Sequence, residues 1–451
     1  MNDRSFPPAF ENRMREKLQQ DWSKFSEAHH VQSPVSIRIN PAKQISVKNA
    51  GQVPWAEAGR YLQERPIFTL DPHFHAGAYY VQEASSMFLE QAIRQVVDPD
   101  QAIHVLDLCA APGGKSTHLL SLLNKESLLV SNEVIRSRAS ILAENIQKWG
   151  HDNVVVTNSD PEKFGELHGL FDVIVLDAPC SGEGLFRKDP DAMTEWSEEN
   201  VALCSGRQKR ILGNVWPALK QNGILIYCTC TYNESENEEN LAWLSGSRSA
   251  EFLKLDINGS WGIEDIQKNN VVGYRFYPHK VKGEGFFLSV LRKVDDQRET
   301  RIKPGKKVFD TIDKSVSDQL NAWIKGADNK SFRRFKEDIL MFPKPHHHVV
   351  EFLCTHLHVV QAGTTLGTTK HEKIIPDIAS ALSIDLNKST FQIANVSLDD
   401  ALRYLRKDNL VLDGLSRGFT LVCYQDSPLG WVNVLDNRIN NLYPSGWRIR
   451  M

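Results

Sequence analysis

The sequence predicts an α/β protein: a doubly wound domain with a ligand crevice, set between an N-terminal α+β module and a C-terminal β-rich domain. Two stretches carry that expectation. In HVLDLCAAPGGKSTHLL, residues 104–120, an apolar run through Val105, Leu106 and Leu108 ends in a loop of small residues with Pro112, Gly113 and Gly114, and Lys115-Ser116-Thr117 then opens a helical pattern. From 102 to 293 strand and helix patterns alternate, as a parallel sheet requires. The strand candidates are HVLDL, SLLVSNE, NVVVTNSD, FDVIVLDAP, GILIYCTC and GEGFFLSVLRK.

A chain of 451 residues is too long for one core, so several domains are expected. Their expected bounds are 1–98 for the N-terminal module, 99–293 for the doubly wound domain, 294–335 for a linker and 336–451 for the C-terminal domain. Composition, at 41% hydrophobic and 24% charged, is ordinary, and no apolar run approaches the ~18 residues that a membrane helix needs. The start, MNDRSFPPAF, lacks a charged-then-apolar leader, so a cytoplasmic location is expected. The seven cysteines are odd in number and lack the spacing of a disulfide scaffold, which leaves core residues, metal ligands or nucleophiles. Net charge is −3, yet residues 301–451 carry 21 basic against 16 acidic side chains, leaving 32 against 40 before them. That is a mildly basic appendage, which an ordinary solvated surface explains about as well.

Taken in order, Phe10, Met14, Leu18, Trp22 and Phe25 recur at helical spacing behind Pro7-Pro8 and predict an amphipathic first helix. A strand follows in which Val35, Ile37 and Ile39 alternate with Ser36, Arg38 and Asn40, so one face is expected to be buried and Arg38 to lie on the other. The stretch 294–335 is rich in Lys, Arg, Asp and Ser and reads as a linker with one short helix. At the C-terminus two β-rich runs joined by Asp-Ser-Pro-Leu-Gly hold Arg438, Arg448 and Arg450 among Trp431, Tyr443 and Trp447. Cations interleaved with aromatics suit nucleic acid; a small β-barrel core is the competing reading. His346-His347-His348 reads as a surface loop rather than a metal site, because adjacent histidines point apart.

The glycine turn brings backbone amides and a helix start to one place, which suits a carboxylate or a phosphate. A P-loop needs Gly where Cys109 stands, and no Gly-x-Gly-x-x-Gly is present. A nucleoside with an anionic tail, S-adenosylmethionine being the foremost candidate, survives that comparison. Glu133, Asp160 and Asp177 end successive strands and converge on the same crevice. Glu133 stands at the offset from the turn at which an acid accepts from ribose hydroxyls. Two cysteines, Cys180 in Asp177-Ala-Pro-Cys180 and Cys230 in Tyr227-Cys-Thr-Cys230, also stand at strand ends, where a thiol can act as a nucleophile. Cys228 shares a strand face with Cys230, but Cys230 is nearer the end. Cys109 and Cys204 read as packing residues on position alone, and no zinc ligand set is completed.

The motifs DLCAAPGGKS, LDAPCSGEGLFRKDP and YCTCTYNESENEEN resemble those of the RNA cytosine-C5 methyltransferase family, most closely its bacterial 16S ribosomal-RNA branch of RsmF type. Cys228 is a departure, because the family often carries Ser or Ala there. The resemblance implies a Rossmann-like S-adenosylmethionine-dependent methyltransferase domain, an N-terminal RNA-binding module and a C-terminal PUA-like RNA-binding domain. It implies that Cys109, Ala110, Ala111, Pro112, Gly113, Gly114, Lys115, Glu133, Asp160 and Asp177 bind S-adenosylmethionine. It makes Cys230 the thiolate that adds to C6 of cytosine, Cys180 the residue of the release step, and Asp177 a support for the base near N3. The implied partner is ribosomal RNA or the small ribosomal subunit, with transfer RNA as the alternative, for a monomeric enzyme without metal. A small-molecule or protein methyltransferase needs the turn and the acids but not two cysteines, and a catalytically silent RNA-binding protein needs no Cys230. The target base must be single-stranded or flipped out, since a stacked base cannot present its face to a thiol.

Overall fold

The computed structural model describes residues 5–450 apart from 44, 49, 269, 301, 303–306 and 371–372. The N-terminal part is a sheet of order β2-β3-β1-β4, made of β1 (Val35–Ile39), β2 (Gly51–Gln52), β3 (Gly59–Leu62) and β4 (Tyr79–Val81). At the centre β5 (His104–Asp107), β6 (Leu128–Asn132), β7 (Val154–Thr157), β8 (Phe171–Asp177) and β9 (Leu219–Thr229) run parallel in the order β7-β6-β5-β8-β9. The apolar runs of β6 and β7 are buried throughout, because helices cover both faces. The order reverses between β5 and β8, which opens a crevice at the carboxyl ends of these strands.

The remaining strands of this sheet depart from the expected parallel pattern. The run GEGFFLSVLRK supplies β13 (Phe286–Lys293), which lies antiparallel to β9. It does so because β11 (Glu264–Lys268) and β12 (Val271–Phe276) form a hairpin and lead into β13 without a crossover helix. The short β10 (Ala250–Phe252) pairs with β13. On the opposite side β16 (Val359–Ala362) pairs antiparallel with β7, so the short β16 and not β7 is the edge strand.

A helix Lys314–Trp323 and β14 (Lys330–Phe335) fall within the stretch read as a linker. They are ordered because Val316 and Leu320 bury against Ile339, Met341 and Leu366. These last belong to a sheet of β14, β15 (Asp338–Pro343), β17 (Thr364–Lys370) and β18 (Lys373–Pro376). Part of the basic run that precedes it, residues 301 and 303–306, lies outside the described residues. A last sheet holds β19 (Gln392–Asn395), β20 (Gly418–Tyr424), β21 (Ser427–Val434) and β22 (Ile439–Asn441). The β20–β21 turn is Gln425-Asp426, both at positive φ, so Ser427 and Pro428 start a strand instead of sitting in the loop. Trp431 and Tyr443 are core residues, so of the three aromatics expected to face nucleic acid only Trp447 is partly exposed. The histidine run is not a surface loop. His346 is buried beside His104, and His347 and His348 open the helix His347–His356, where His347 stacks on Phe342.

Two of the buried contacts that bind the N-terminal module to the central domain bear on the crevice. Its single expected helix is two, Pro8–Leu18 and Trp22–His30, broken where Gln19 takes φ 47°. The break lets Phe10 and Phe25 pack against Phe186, Trp196, Tyr232 and Tyr277 from the loops beyond β8 and β9 and from the segment after β12. The second contact is Arg38. Its guanidinium is fully buried, because the polar face of β1 lies against the helix Gly114–Leu122. It donates to Thr117 Oγ1 at 2.6 Å and to Gln82 Oε1 at 2.8 Å, and its plane sits 4.4 Å from the Trp149 ring centre. Burial pulls its pKa down to about 9. Arg38→Ala leaves several acceptors unpaired and a void beside Trp149, at a cost of about 2–4 kcal/mol. The expected result is a lower thermal midpoint, which differential scanning calorimetry reads; an unchanged midpoint would mean that the module is anchored elsewhere.

Candidate active site

The glycine turn between β5 and the helix Gly114–Leu122 is built as its sequence requires. Gly113 takes φ 112°, a conformation that side chains rarely adopt, and a Cβ there would also crowd Leu142 at 3.3 Å. The loop is held from outside by Arg138 Nη2 donating to Ala111 O at 2.8 Å and by Asn145 Nδ2 donating to Pro112 O at 2.7 Å. At the floor of the crevice Asp107 is fully buried. Its Oδ2 accepts from Ser116 Oγ at 2.6 Å, while its Oδ1 has no partner among the described residues. Burial, with the charge of Asp177 and Glu133, pushes the Asp107 carboxyl up to about 7 against the pull of Ser116 and Lys115.

The expected acids occupy three different situations. Asp177 ends β8 and its Oδ2 pairs with Lys115 Nζ at 2.8 Å. Burial lowers the Lys115 ammonium, but Asp177, Cys228 and Asp107 outweigh it and the pKa is raised. Glu133 is buried just past β6, where its Oε1 accepts from Ile135 N at 2.8 Å and its Oε2 lies 3.4 Å from Arg138 Nη1. Asp160 is exposed and accepts from Glu162 N at 2.9 Å, capping the short helix Pro161–Gly165. Cys109 is half-buried in the turn, and burial together with Asp177, Asp107 and Glu133 pushes its thiol up.

Cys180 and Cys230 meet. Their sulfurs are 3.2 Å apart, and each is only partly covered. The Cys180 thiol is raised well above its ordinary value, first by its hydrogen bond to Cys230 and then by burial. Cys228, two residues earlier on β9, is fully buried, with its Sγ donating to Leu176 O at 3.7 Å, and burial raises its thiol too. Strand β9 ends at Thr229, so Cys230 alone of the pair lies beyond the strand.

Sequence reasoning missed the groups beneath these thiols. Glu236, in the acidic run that follows Cys230, is buried and accepts from Ser181 N at 2.8 Å, Ser181 Oγ at 2.5 Å, Thr231 Oγ1 at 3.2 Å and Gln208 Nε2 at 3.2 Å. The only signal was an excess of acids with no basic partner nearby in sequence. Asp107 was readable as the last residue of the first strand, but not as a buried acid with a free oxygen. His347, His348 and Glu351 put ligand atoms within 4.8 Å of one another, away from this crevice; His347 and Glu351 sit at an ion-pair distance of 3.4 Å.

Three family models match this chain: the 16S rRNA methyltransferase RsmB/F over residues 94–292, the N-terminal domain of 16S rRNA methyltransferase RsmF over 6–84, and the methyltransferase RsmF PUA domain over 392–449. Ribosomal RNA small subunit methyltransferase F of Vibrio atlanticus is 31% identical over 441 residues, which cover 91% of this chain and 90% of that protein. The protein of the same name from Escherichia coli strain K12 is 29% identical over 97% of this chain and 96% of its own length. The chain belongs to the RsmB/F methyltransferase family. A solved methyltransferase homologue from Pyrococcus horikoshii is 30% identical, with a TM-score of 0.52 over 61% of this chain and 91% of its own. NSun6 from the same organism, solved with SFG, shares the fold with a TM-score of 0.55 at 19% identity, over 65% of this chain and all of its own.

The RsmB/F family match makes the protein a methyltransferase with an N-terminal RsmF domain and a C-terminal PUA domain around a Rossmann-like sheet. The buried Asp107 gives this site a pH signature. Its carboxyl titrates higher folded, near 7, than unfolded, near 4, so between those values the folded state binds the extra proton and stability falls as pH rises. Asp107→Asn removes this term. The thermal midpoint of the variant relative to wild type is therefore expected to climb between pH 4 and 7 and to level off above; a flat difference would place the carboxyl in its ordinary range.

Proposed function

We propose that the protein methylates C5 of a cytidine in ribosomal RNA of the small subunit, with S-adenosylmethionine as donor and a covalent Cys230–C6 adduct as intermediate. The observation that carries this reading is the pair of sulfurs 3.2 Å apart at the mouth of a methyltransferase crevice, because transfer to an ordinary nucleophile needs no thiol there. The crevice fits the donor. A buried carboxylate with an unpartnered oxygen, a glycine loop at positive φ and the acid Glu133 are suited to an ammonium group, a close backbone approach and ribose hydroxyls respectively. When bound there, S-adenosylmethionine supplies an electrophilic methyl group on a sulfonium.

The residues of the chain do the rest. Cytosine C5 is too weak a nucleophile unaided. The Cys230 thiolate forms a bond to C6, which places electron density on C5, and Asp177 holds the ring near N3. Once C5 carries the methyl group its proton must leave, the step served by Cys180, and the Cys230–C6 bond then breaks and restores the thiolate. Its raised pKa leaves Cys180 protonated at rest, so it must give that proton to solvent before its thiolate can take the one from C5. Cys109, Ala110, Ala111, Pro112, Gly113, Gly114 and Lys115 are assigned to the methionine end of the donor and Asp160 to its adenine. RNA contacts are assigned to the modules at 1–98 and 336–451 of a cytoplasmic monomer. A cleft of about 1120 Å³ beside the N-terminal module holds Glu83 and an Arg187–Glu284 pair as well as Arg65 and Lys188, and these last two are its cations open to RNA phosphates.

Two measurements test this reading. RNA carrying 5-fluorocytidine, whose fluorine blocks release, should trap an adduct that maps to Cys230; Cys230→Ala should form none, and Cys180→Ala should accumulate adduct on normal RNA as a slow band on a denaturing gel. Adduct on Cys180 or Cys228 would reverse the assignment. Separately, Glu133→Ala should weaken S-adenosylmethionine binding by about 1–3 kcal/mol in calorimetry, as loss of a buried pair of hydrogen bonds predicts. Unchanged affinity would remove Glu133 from the donor site.

A further inference from the structure

We propose that Glu236 is the positioning residue that sets the separation of Cys180 and Cys230, and that this is why a carboxylate, and not an amide, stands there. The inference rests on the thiol chemistry proposed above. Ser181 directly follows Cys180, and Thr231 directly follows Cys230. The one carboxylate of Glu236 accepts from both, with Oε1 taking Ser181 N and Gln208 Nε2, and Oε2 taking Ser181 Oγ and Thr231 Oγ1. The loop after β8 and the turn after β9 come from strands paired side by side, yet beyond Asp177 and Cys228 the ladder ends. Past that point the two segments are joined by this carboxylate, which brings Ser181 Oγ and Thr231 Oγ1 to 3.1 Å of each other, and by Gly184 N donating to Cys230 O at 2.9 Å.

The chemistry of the donors specifies the acceptor. A backbone N–H and an amide N–H meet Oε1 and can only donate, and two hydroxyls meet Oε2. A glutamine in this place must keep its oxygen toward Ser181 N and Gln208, which can only donate, so its NH2 turns the two hydroxyls into acceptors and their protons lose the shared oxygen that joins the two loops. All four donors are uncharged, so the negative charge stays in the site, and burial keeps the Glu236 carboxyl above its ordinary range. The residue is itself held: Tyr227 OH donates to the main-chain carbonyl of Glu236 at 2.5 Å, and Gln208 is fixed by Asn240 and by its bond to Pro179 O at 2.9 Å. Glu236 touches neither thiol in this network. Its role is to hold the residue after each, which keeps the attacking and releasing sulfurs at opposite ends of one short gap.

Thiol cross-linking in the full-length protein reads this directly, without RNA or donor. Diamide takes the two thiol hydrogens and becomes a hydrazine as the sulfurs join, and the rate reports how often they meet. Wild type should link Cys180 to Cys230, located by peptide mass spectrometry. Glu236→Gln should slow that link, and lower kcat, by about tenfold to a hundredfold, the scale of a small misplacement of reacting groups. KM for RNA and the affinity for S-adenosylmethionine should stay within about twofold, since neither the donor loop nor the cleft with Arg65 and Lys188 depends on Glu236. A structural role alone would lower all of these together. If Glu236→Gln does not fold, the paired change Ser181→Ala and Thr231→Val removes the two hydroxyl bonds to Oε2, leaves those of Ser181 N and Gln208 to Oε1, keeps the charge, and should also slow the link. Cross-linking and kcat at wild-type rates in either variant overturn the proposal. A wild-type protein that cross-links normally but traps no adduct with 5-fluorocytidine RNA fails the cytosine reading instead.

Discussion

The Lys115–Asp177 ion pair is the interaction on which the site depends. Lys115 opens the helix after the first strand of the doubly wound sheet, and Asp177 closes the strand across the switch point, so the pair ties the two halves together where the crevice opens. Lys115 is largely buried and also feels Asp107 and Cys228. Asp177 is 36% exposed, so solvent screens the pair and its net contribution to stability is small; what it fixes is where the Lys115 ammonium and the Asp177 carboxylate stand. The geometry of the glycine turn and that of Asp177 are therefore set together.

The N-terminal module is part of the same construction. Arg38 reaches from β1 to the carbonyl oxygens and hydroxyl of the first turn of the helix Gly114–Leu122, and the aromatic side chains of the first two helices fill the space behind the loops that carry Cys180 and Cys230. Both contacts act on backbone that lines the crevice. A module that reads as an RNA-binding appendage from its sequence also braces the glycine turn on one side and the thiol loops on the other.

The thiols illustrate how burial sorts chemically identical groups. Cys228, inside the strand, is sealed and cannot meet a nucleobase; Cys230, two residues on, has left the ladder and is partly open. Cys180 is brought to it from another loop, and the thiol–thiol contact together with burial raises its thiol pKa well above the ordinary value. Glu236 lies under both, bonded to the residue next to each.

Much of this was legible in the chain itself. The five parallel strands, the glycine turn, the acids at strand ends and the two strand-end cysteines were all readable, because each is a local pattern: an apolar run of strand length, a residue needing positive φ, or a polar group where an apolar run stops. The motifs further assigned the chain to its family. Only the tertiary structure decided the rest. Whether Arg38 faced water or helix depended on what packed against β1, and the direction of β13 depended on a hairpin of weak pattern. Trp431 and Tyr443 became core rather than contact surface because a helix and a third strand covered them. The 3.2 Å between Cys180 and Cys230, and the acid that joins their loops, bring together residues about fifty positions apart, and no local pattern encodes a distance across strands.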